Sequence, residues 1–481
     1  MSSKGETESY RDQLATIDKR GKRVWVYPIK PQGKYYTART YLSWFLLAFL
    51  FLAPIIKIGG HPLLQFDIIH RHFFIFGLVF WPQDLHLFVL AAITLFVFII
   101  WFTTIWGRLF CGWVCPQTIF LEMLFRKIEY AIEGNGPAQR QLDHQEWNVE
   151  KFRKRSLKFS IFFILSFLIG NTFLAYIIGF DALREIVTSP PSEHIVGFVS
   201  MIIFSLVFFW VFTWFREQAC TLVCPYGRLQ GVLLDSNSMV VMYDHKRGEP
   251  RAPLSRTTQR VEKGDCVDCS VCVKVCPTGI DIRNGTQLEC VNCTACMDAC
   301  DRTMNGVGFA PGLIRYSSMN QIAQGGKRVF TPRIILYSIF LVLLLVTTTT
   351  LMLLRTPIEC AILRTTGSLY EELENGNIRN VYTFRGTNKT PRELPLQLTL
   401  SGVQGTIQIL GPELILPPEG QDETVFSIEI PKKQLFLATT PVRIEIRSDR
   451  EVLETVSTTF VGPSRSMQQK SEQEEEENEH K

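Results

Sequence analysis

The chain has 481 residues, 46% of them hydrophobic and 20% charged, with 50 Lys+Arg against 46 Asp+Glu for a net charge of +4. This excludes a wholly disordered chain, and thirteen cysteines at such a length are too dilute for a small disulfide scaffold. The near-neutral total conceals a division: residues 355–481 carry 14 Lys+Arg and 20 Asp+Glu, whereas residues 1–354 carry 36 and 26, so the two parts face different surroundings.

After a polar, disordered-looking start over Met1–Thr16, the first charge-free block runs 17 residues from Thr40 to Ile56. Further blocks lie between Asp84 and Arg108, Lys158 and Asp181, Glu193 and Arg216, and Arg333 and Arg355. A hydrocarbon core about 30 Å thick needs about 20 helical residues, so five transmembrane helices are expected, at about 40–57, 85–106, 159–180, 194–215 and 334–354. The apolar run Phe73–Pro82 is too short to cross and reads as an interfacial or re-entrant piece anchored by Trp81. His70 and His72 form a His-x-His before it, a candidate copper contact. His86 and His194 open the second and fourth spans, where haem ligation or an ordinary interfacial place are both open.

Just past the second span stands Cys111-Gly112-Trp113-Val114-Cys115-Pro116, and just past the fourth stands Cys220-Thr221-Leu222-Val223-Cys224-Pro225. An i, i+4 spacing puts both sulfurs of a pair on one helix face, and the proline marks a helix shoulder. The repetition predicts a pseudo-twofold core that gathers four thiols. Four soft sulfurs suit Cu(I) or another thiophilic metal, a redox disulfide pair or a third iron–sulfur centre, while cysteine is also an ordinary small hydrophobe in membrane helices. Arg108, Arg216 and Arg228 stand nearby in sequence and are expected to lower the thiol pKa values.

Between the fourth and fifth spans come Cys266-x-x-Cys269-x-x-Cys272-x-x-x-Cys276-Pro277 and Cys290-x-x-Cys293-x-x-Cys296-x-x-x-Cys300. In this spacing three thiolates wrap one [4Fe–4S] cluster and the fourth reaches the other cluster. Cluster one would take Cys266, Cys269, Cys272 and Cys300; cluster two would take Cys276, Cys290, Cys293 and Cys296. Zinc ribbons are the lesser reading of the same cysteines. Asp301 stands where a second proline is expected. Cys360, after the fifth span, has no sequence partner and reads as a packing thiol.

Past Arg355 the pattern alternates, as in Gln397–Leu400, Val425–Ile430, Val442–Ile446 and Glu454–Phe460, with Gly402, Gly405, Gly411 and Pro417-Pro418 between runs. That predicts a β-sandwich from about Ile378 to Val461, with a role in docking a partner or capping the fold, followed by a disordered acidic run over Glu472–Glu479. Lys/Arg counts of 9 in 1–39, 9 in 106–158 and 15 in 216–333, against 2 in 57–85 and 1 in 180–193, place the N-terminus and the cysteine-rich loop inside and the tail outside. The basic runs read as retention and lipid attraction, with no nucleic acid as partner.

Five spans, Trp81-Pro82-Gln83-Asp84, two C-x-x-x-C-P motifs, a double-cluster loop and a terminal β-domain together resemble the cytochrome c oxidase accessory protein family of FixG, RdxA and CcoG, membrane-bound and polyferredoxin-like. The resemblance implies a multidomain bacterial inner-membrane protein. Residues 1–39 would be a cytoplasmic segment, 40–240 a membrane core with four of the helices, and 241–330 an inserted cytoplasmic bacterial-type ferredoxin domain with two [4Fe–4S] clusters. The fifth helix at 334–354 would lead to a periplasmic immunoglobulin-like domain over 355–465 and a disordered tail over 466–481. It also implies reduction of Cu(II) to Cu(I) for assembly of a cbb3-type oxidase, with Cys111, Cys115, Cys220 and Cys224 as redox or copper thiols and copper-delivery or oxidase-assembly proteins as partners. The electron donor stays open. Other readings are a quinol-oxidising subunit of a respiratory reductase and a redox sensor or scaffold.

Overall fold

The computed structural model describes residues 15–18, 20–68, 72–81, 84–254, 263–325, 331–365, 369–390, 392–411, 413–435, 437–448 and 451–463. The polar start (except Ala15 and Thr16) and the acidic run Glu472–Glu479 lie outside them. Contacts divide the chain into two units, Met1–Thr349 and Thr350–Lys481.

In the first unit four helices are long and apolar enough to cross a membrane: Leu85–Trp106, Val149–Ile178, Ile195–Phe215 and Pro332–Leu353. At 1.5 Å per residue the 22 residues of Leu85–Trp106 reach about 33 Å, the thickness of the hydrocarbon core. Outward side chains such as Leu95, Phe96, Leu336 and Phe340 are exposed, as a lipid-facing surface requires. The expected crossing at 40–57 is a helix over Lys34–Leu52, and it is not among these four: its first turns are polar, and Arg39 and Ser43 are buried along it. The expected 159–180 span begins earlier and runs 30 residues from Val149 to Ile178. Asn148 caps it by accepting from Lys151 N at 2.7 Å. Its basic first turns do not end the helix because carbonyls and carboxylates absorb their charge, Lys151 on Asp143 and Gln145 carbonyls and Lys158 on Glu133 at 2.8 Å. The fourth expected span is α-helical over Ile195–Trp210 and widens into a π-helical turn over Val211–Phe215. Phe125 is fully buried between Phe162, edge-on at 4.7 Å, and Phe212, stacked at 4.5 Å, which locks the segment after the first C-x-x-x-C-P motif to two of the long helices.

Phe73–Pro82 is not a re-entrant helix. It belongs to an antiparallel sheet of Leu64–Asp67, His72–Ile75 and Leu78–Phe80. Phe76 and Gly77, at φ of 50° and 80°, supply the two positive-φ positions that a tight hairpin needs. Trp81 is buried, while Pro82, Gln83 and His70 lie outside the described residues, as does the His72 side chain.

Between Phe215 and Pro332 the elements are short: a helix over Pro225–Leu233, an antiparallel pair of Val240–Tyr243 with Ile314–Ser317, and helices over Val271–Lys274 and Ala295–Val307. The last of these is tied to the Lys34–Leu52 helix. Asp298 accepts from the backbone N–H groups of Tyr35 and Tyr36 at 3.2 and 2.7 Å, satisfying two orphan donors and placing negative charge at the helix N-terminus. Gly33 admits this approach, since a Cβ there would lie 2.3 Å from Asp298 Cγ.

The second unit is a β-sandwich. One sheet orders Thr406–Ile409, Gln421–Pro431, Asn377–Asn388 and Ile358–Arg364, with Glu371–Glu372 on the third of these; the other orders Gln397–Ser401, Thr439–Ser448 and Glu451–Val461. Alternation sets the core: Ile378, Tyr382 and Phe384 point inward from one strand, Phe426 and Ile428 from its neighbour, and Ile444, Ile446 and Phe460 from the opposite sheet, all fully buried. Tyr382 Oη donates to Thr459 O at 3.0 Å, so its one polar atom is satisfied. Ile358–Arg364 lies ahead of the expected start at Ile378. Cys360 sits in that strand, half-buried against the sandwich core, and burial together with Glu454 pushes its thiol pKa up.

Candidate functional site

The two C-x-x-x-C-P motifs adopt one conformation. The helix does not continue through either pair, as one shared helix face would require. Instead Cys115 (φ −58°, ψ 124°) and Cys224 (φ −63°, ψ 111°) are extended, and Pro116 and Pro225 each open a new helix. The reason is local: a residue before proline is driven out of the α region, and proline suits the first helical position. In both motifs the second cysteine's N–H reaches back five residues, Cys115 to Phe110 O and Cys224 to Ala219 O, each at 2.9 Å. The entries match too. Four residues before each first cysteine the backbone turns through positive φ, at Gly107 (57°, −130°) and Arg216 (50°, −124°).

These shoulders bring the four thiols together. Cys111 has Cys115 and Cys224 as electrostatic neighbours, and Cys220 has Cys115, Cys111 and Cys224. Burial pushes the Cys111 and Cys220 thiols up to about 12, with Cys115 and Cys224 adding to both, and raises Cys115 as well although the N–H groups of Gln117 and Thr118 favour its thiolate. The expected net lowering by arginine therefore does not occur at Cys111, Cys115 or Cys220. Arg216 is committed to Glu129 through bonds of 2.6 and 2.8 Å, Arg228 donates to Leu222 O at 3.0 Å, and Arg108 donates to the carbonyls of Leu288 and Gly227. Only Arg108 acts on Cys111, and desolvation outweighs it.

One residue of this basin escaped the sequence. Gln230 is fully buried; its Oε1 accepts from Cys111 Sγ at 3.3 Å, and its Nε2 finds no hydrogen-bond partner among the described residues. A half-turn of the amide would aim that donor at a Cys111 thiolate, so the side chain suits either protonation state. The only sequence signal is its place on the helix that Pro225 opens.

The eight loop cysteines line two cavities. Cys266, Cys269, Cys272 and Cys300 line one; Cys276, Cys290, Cys293 and Cys296, with Cys272 again, line the other. All thirteen cysteines are free thiols. Among the described residues no three His, Cys, Asp or Glu converge closely enough to hold a single metal ion. An iron–sulfur cube does not ask for that, because each thiolate binds a different corner, and a cysteine-lined cavity is what it needs. The residues present fit such a group. The loops repeat in backbone as in spacing: Asp268 and Ser270 in the first, and Asn292 and Thr294 in the second, take positive φ of 50° to 63°. After the first loop Pro277 ends the short helix, whereas after the second Asp301 continues Ala295–Val307 and accepts from Gly312 N at 2.7 Å. A proline at 301 would interrupt that helix.

The second cavity abuts the thiol basin. Gly112 lies so near the ligand loop that a Cβ would stand 2.4 Å from Val291 O and 2.8 Å from Asn292 O, between Cys290 and Cys293. Arg39 reaches Cys293 O at 3.5 Å, and N–H groups of Asn292, Ala295 and Thr278 face Cys290, Cys293 and Cys276. His86 and His194 stand at the far ends of their helices from these thiols, at the first turn of Leu85–Trp106 and the N-cap of Ile195–Trp210, which places them about 30 Å away along the axis.

Comparison with known proteins agrees with this arrangement. Residues 215–319 match a 4Fe-4S dicluster domain, residues 88–132 a 4Fe-4S binding domain, and residues 348–463 the IG-like fold at the C-terminal of FixG. The chain is 34% identical to protein RdxA of Cereibacter sphaeroides over 80% of this chain and 83% of that one. It is 31% identical to protein RdxB of the same organism over 85% and 86%, and 31% identical to the nitrogen fixation protein FixG of Rhizobium meliloti over 81% and 82%. With its membrane-capable helices, its 4Fe-4S domains and its terminal β-domain, the chain belongs to the FixG/RdxA family of iron–sulfur electron-transfer proteins.

Proposed function

We propose that this protein is a membrane cupric reductase, delivering single electrons to Cu(II) at the Cys111, Cys115, Cys220 and Cys224 basin and releasing Cu(I) for assembly of a cbb3-type oxidase. The observation that supports this is the close approach of Gly112 to Val291 and Asn292, which sets the thiol basin against a cysteine-lined cavity. Cys266, Cys269, Cys272 and Cys300 hold one [4Fe–4S] cluster and Cys276, Cys290, Cys293 and Cys296 the other. Such clusters, when bound, supply one-electron steps. Backbone N–H groups and Arg39 steady charge at the inner cavity, while the buried thiols stay protonated until a metal displaces their protons. Thiolates favour the Cu(I) product, and two of the four suffice for that ion. In this reading Lys34–Leu52 makes the fifth crossing, the cluster domain is inserted on the cytoplasmic side of a bacterial inner membrane, and the acidic β-domain stands in the periplasm, where copper-delivery or oxidase-assembly proteins dock. Reduced, cluster-loaded protein in lipid nanodiscs is mixed with Cu(II), and Cu(I) is read with a chromogenic chelator. The Cys111→Ala/Cys220→Ala double variant is expected to lose roughly 100-fold in rate with cluster absorbance intact. An unchanged rate overturns the assignment.

A further inference from the structure

Beside the second shoulder lies a pocket lined by Trp25, Trp214, Phe159 and Phe209 together with Glu133, Lys158 and Arg216, with the Lys158 ammonium 5.3 Å from the Phe159 ring centre. It is amphipathic by construction. Phe159 and Phe209 belong to two of the membrane-capable helices, while Asp143 and Arg155, paired at 2.6 Å, are the more water-exposed part of the lining. The cations on its wall are already matched: Arg216 by Glu129, Lys158 by Glu133 at 2.8 Å, and Arg155 by Asp143 and Glu133. A phosphate or another anion would meet three carboxylates and no spare positive charge, which disfavours an anionic lipid head group. A neutral, flat ring that both donates and accepts hydrogen bonds and trails an apolar chain suits this mixed aromatic and polar lining. The neighbouring cleft between Leu46, Phe120, Phe173 and Tyr176 is apolar throughout, and Tyr176 Oη already donates to Leu50 O, so it offers no acceptor for a proton. The shoulder links the cavity to the thiols directly, since Arg216 stands four residues before Cys220 and its carbonyl accepts from Gln117, two residues after Cys115.

We infer that this cavity binds the head group of an isoprenoid quinol, which serves as the electron donor to the thiol basin. The inference rests on the electron-transfer reading above and names its donor. The reaction balances as one quinol giving two electrons and two protons while two Cu(II) each take one electron. The O–H bonds of the quinol break, its ring becomes the quinone, and Cu(I) leaves twice. The two protons leave to water at the exposed rim beside Asp143. Glu129 cannot take them, because Arg216, Lys158 and Arg126 hold its carboxyl at about 2 against the opposing effect of burial. A donor of two electrons and an acceptor of one need a place to keep the second electron between turnovers, and the iron–sulfur clusters that the eight loop cysteines would hold would supply it.

Full-length, cluster-loaded protein in lipid nanodiscs is titrated with oxidised decylubiquinone in the absence of copper, following tryptophan emission. Saturable quenching is expected, and Thr213→Trp, which fills the cavity, weakens it about tenfold or more. Phe209→Ala, which removes a wall without filling the space, gives a second and smaller loss, and unchanged cluster absorbance certifies the fold of both variants. Decylubiquinol then bleaches that absorbance in anaerobic stopped flow, about tenfold slower in Thr213→Trp, while dithionite bleaches wild type and variant alike. Non-saturable quenching, which signals only partition into lipid, or equal saturation in both variants, overturns the inference. Since no copper is present, a failure here leaves the copper assignment standing, and a failed Cu(II) assay leaves quinone binding standing.

Discussion

The two shoulders reach the same backbone by different means. At the first, glycine takes the positive-φ turn, and Gly107 does so with Val240 Cγ1 only 2.6 Å from where a Cβ would stand. At the second, an arginine occupies a region that side chains avoid, and it is held there by a bidentate, fully buried ion pair with Glu129. Glycine meets the requirement locally and leaves nothing else behind. Arginine meets it through a partner on another element, and a charged cavity comes with it. Two copies of one motif have thus diverged where a single backbone torsion could be satisfied in more than one way.

The comparison breaks most sharply at Glu129. Glu129→Gln removes the bidentate carboxylate and leaves the buried Arg216 with only the longer contact to Glu217 at 3.7 Å, and is expected to destabilise by about 3 kcal/mol, read as a lowered thermal midpoint in nanodiscs. The same pair sets a pH window. Its folded pKa is depressed from 4.5 to about 2, so its contribution of about 3 kcal/mol is present above about pH 4.5 and is lost as pH falls through 2. Melting midpoints that stay level over that acid range in wild type refute the linkage. Gly107→Ala tests the other shoulder. A methyl meeting Val240 Cγ1 and Met239 O at positive φ is expected to cost about 1–3 kcal/mol, with the pH window unchanged. The smallest effect belongs to Asp298→Asn, which keeps the size of the cap and removes its charge, at about 1 kcal/mol, read as faster amide exchange at Tyr35 and Tyr36.

Much of this was legible because periodicity and spacing are local. The expected strand runs at Val425–Ile430 and Val442–Ile446 lie inside observed strands, and three of the five expected crossings coincide in extent with observed helices to within a few residues. The start of Val149–Ile178 was not legible, since Lys151 and Lys158 look like a membrane boundary until their partners across the fold are known. Phe73–Pro82 has too few residues to separate a strand from a helical fragment by pattern alone. At the site, spacing alone suggested the grouping of the eight loop cysteines that line the two cavities. The protonation of the membrane-edge thiols did not follow from sequence, because neighbouring arginines count only when they are free, and Gln230 has no periodic or motif signature.

Asp298 gives the order of events in biogenesis a structural meaning. The helix over Lys34–Leu52 is synthesised early, yet the carboxylate that finishes its N-terminus comes 263 residues later, on the helix that carries Cys296 and Cys300. In a newly made chain the last two hydrogen bonds at the N-terminus of this helix therefore form only after the second cysteine loop has folded. Folding around the second cysteine loop and completion of the early helix are thereby coupled through a single carboxylate.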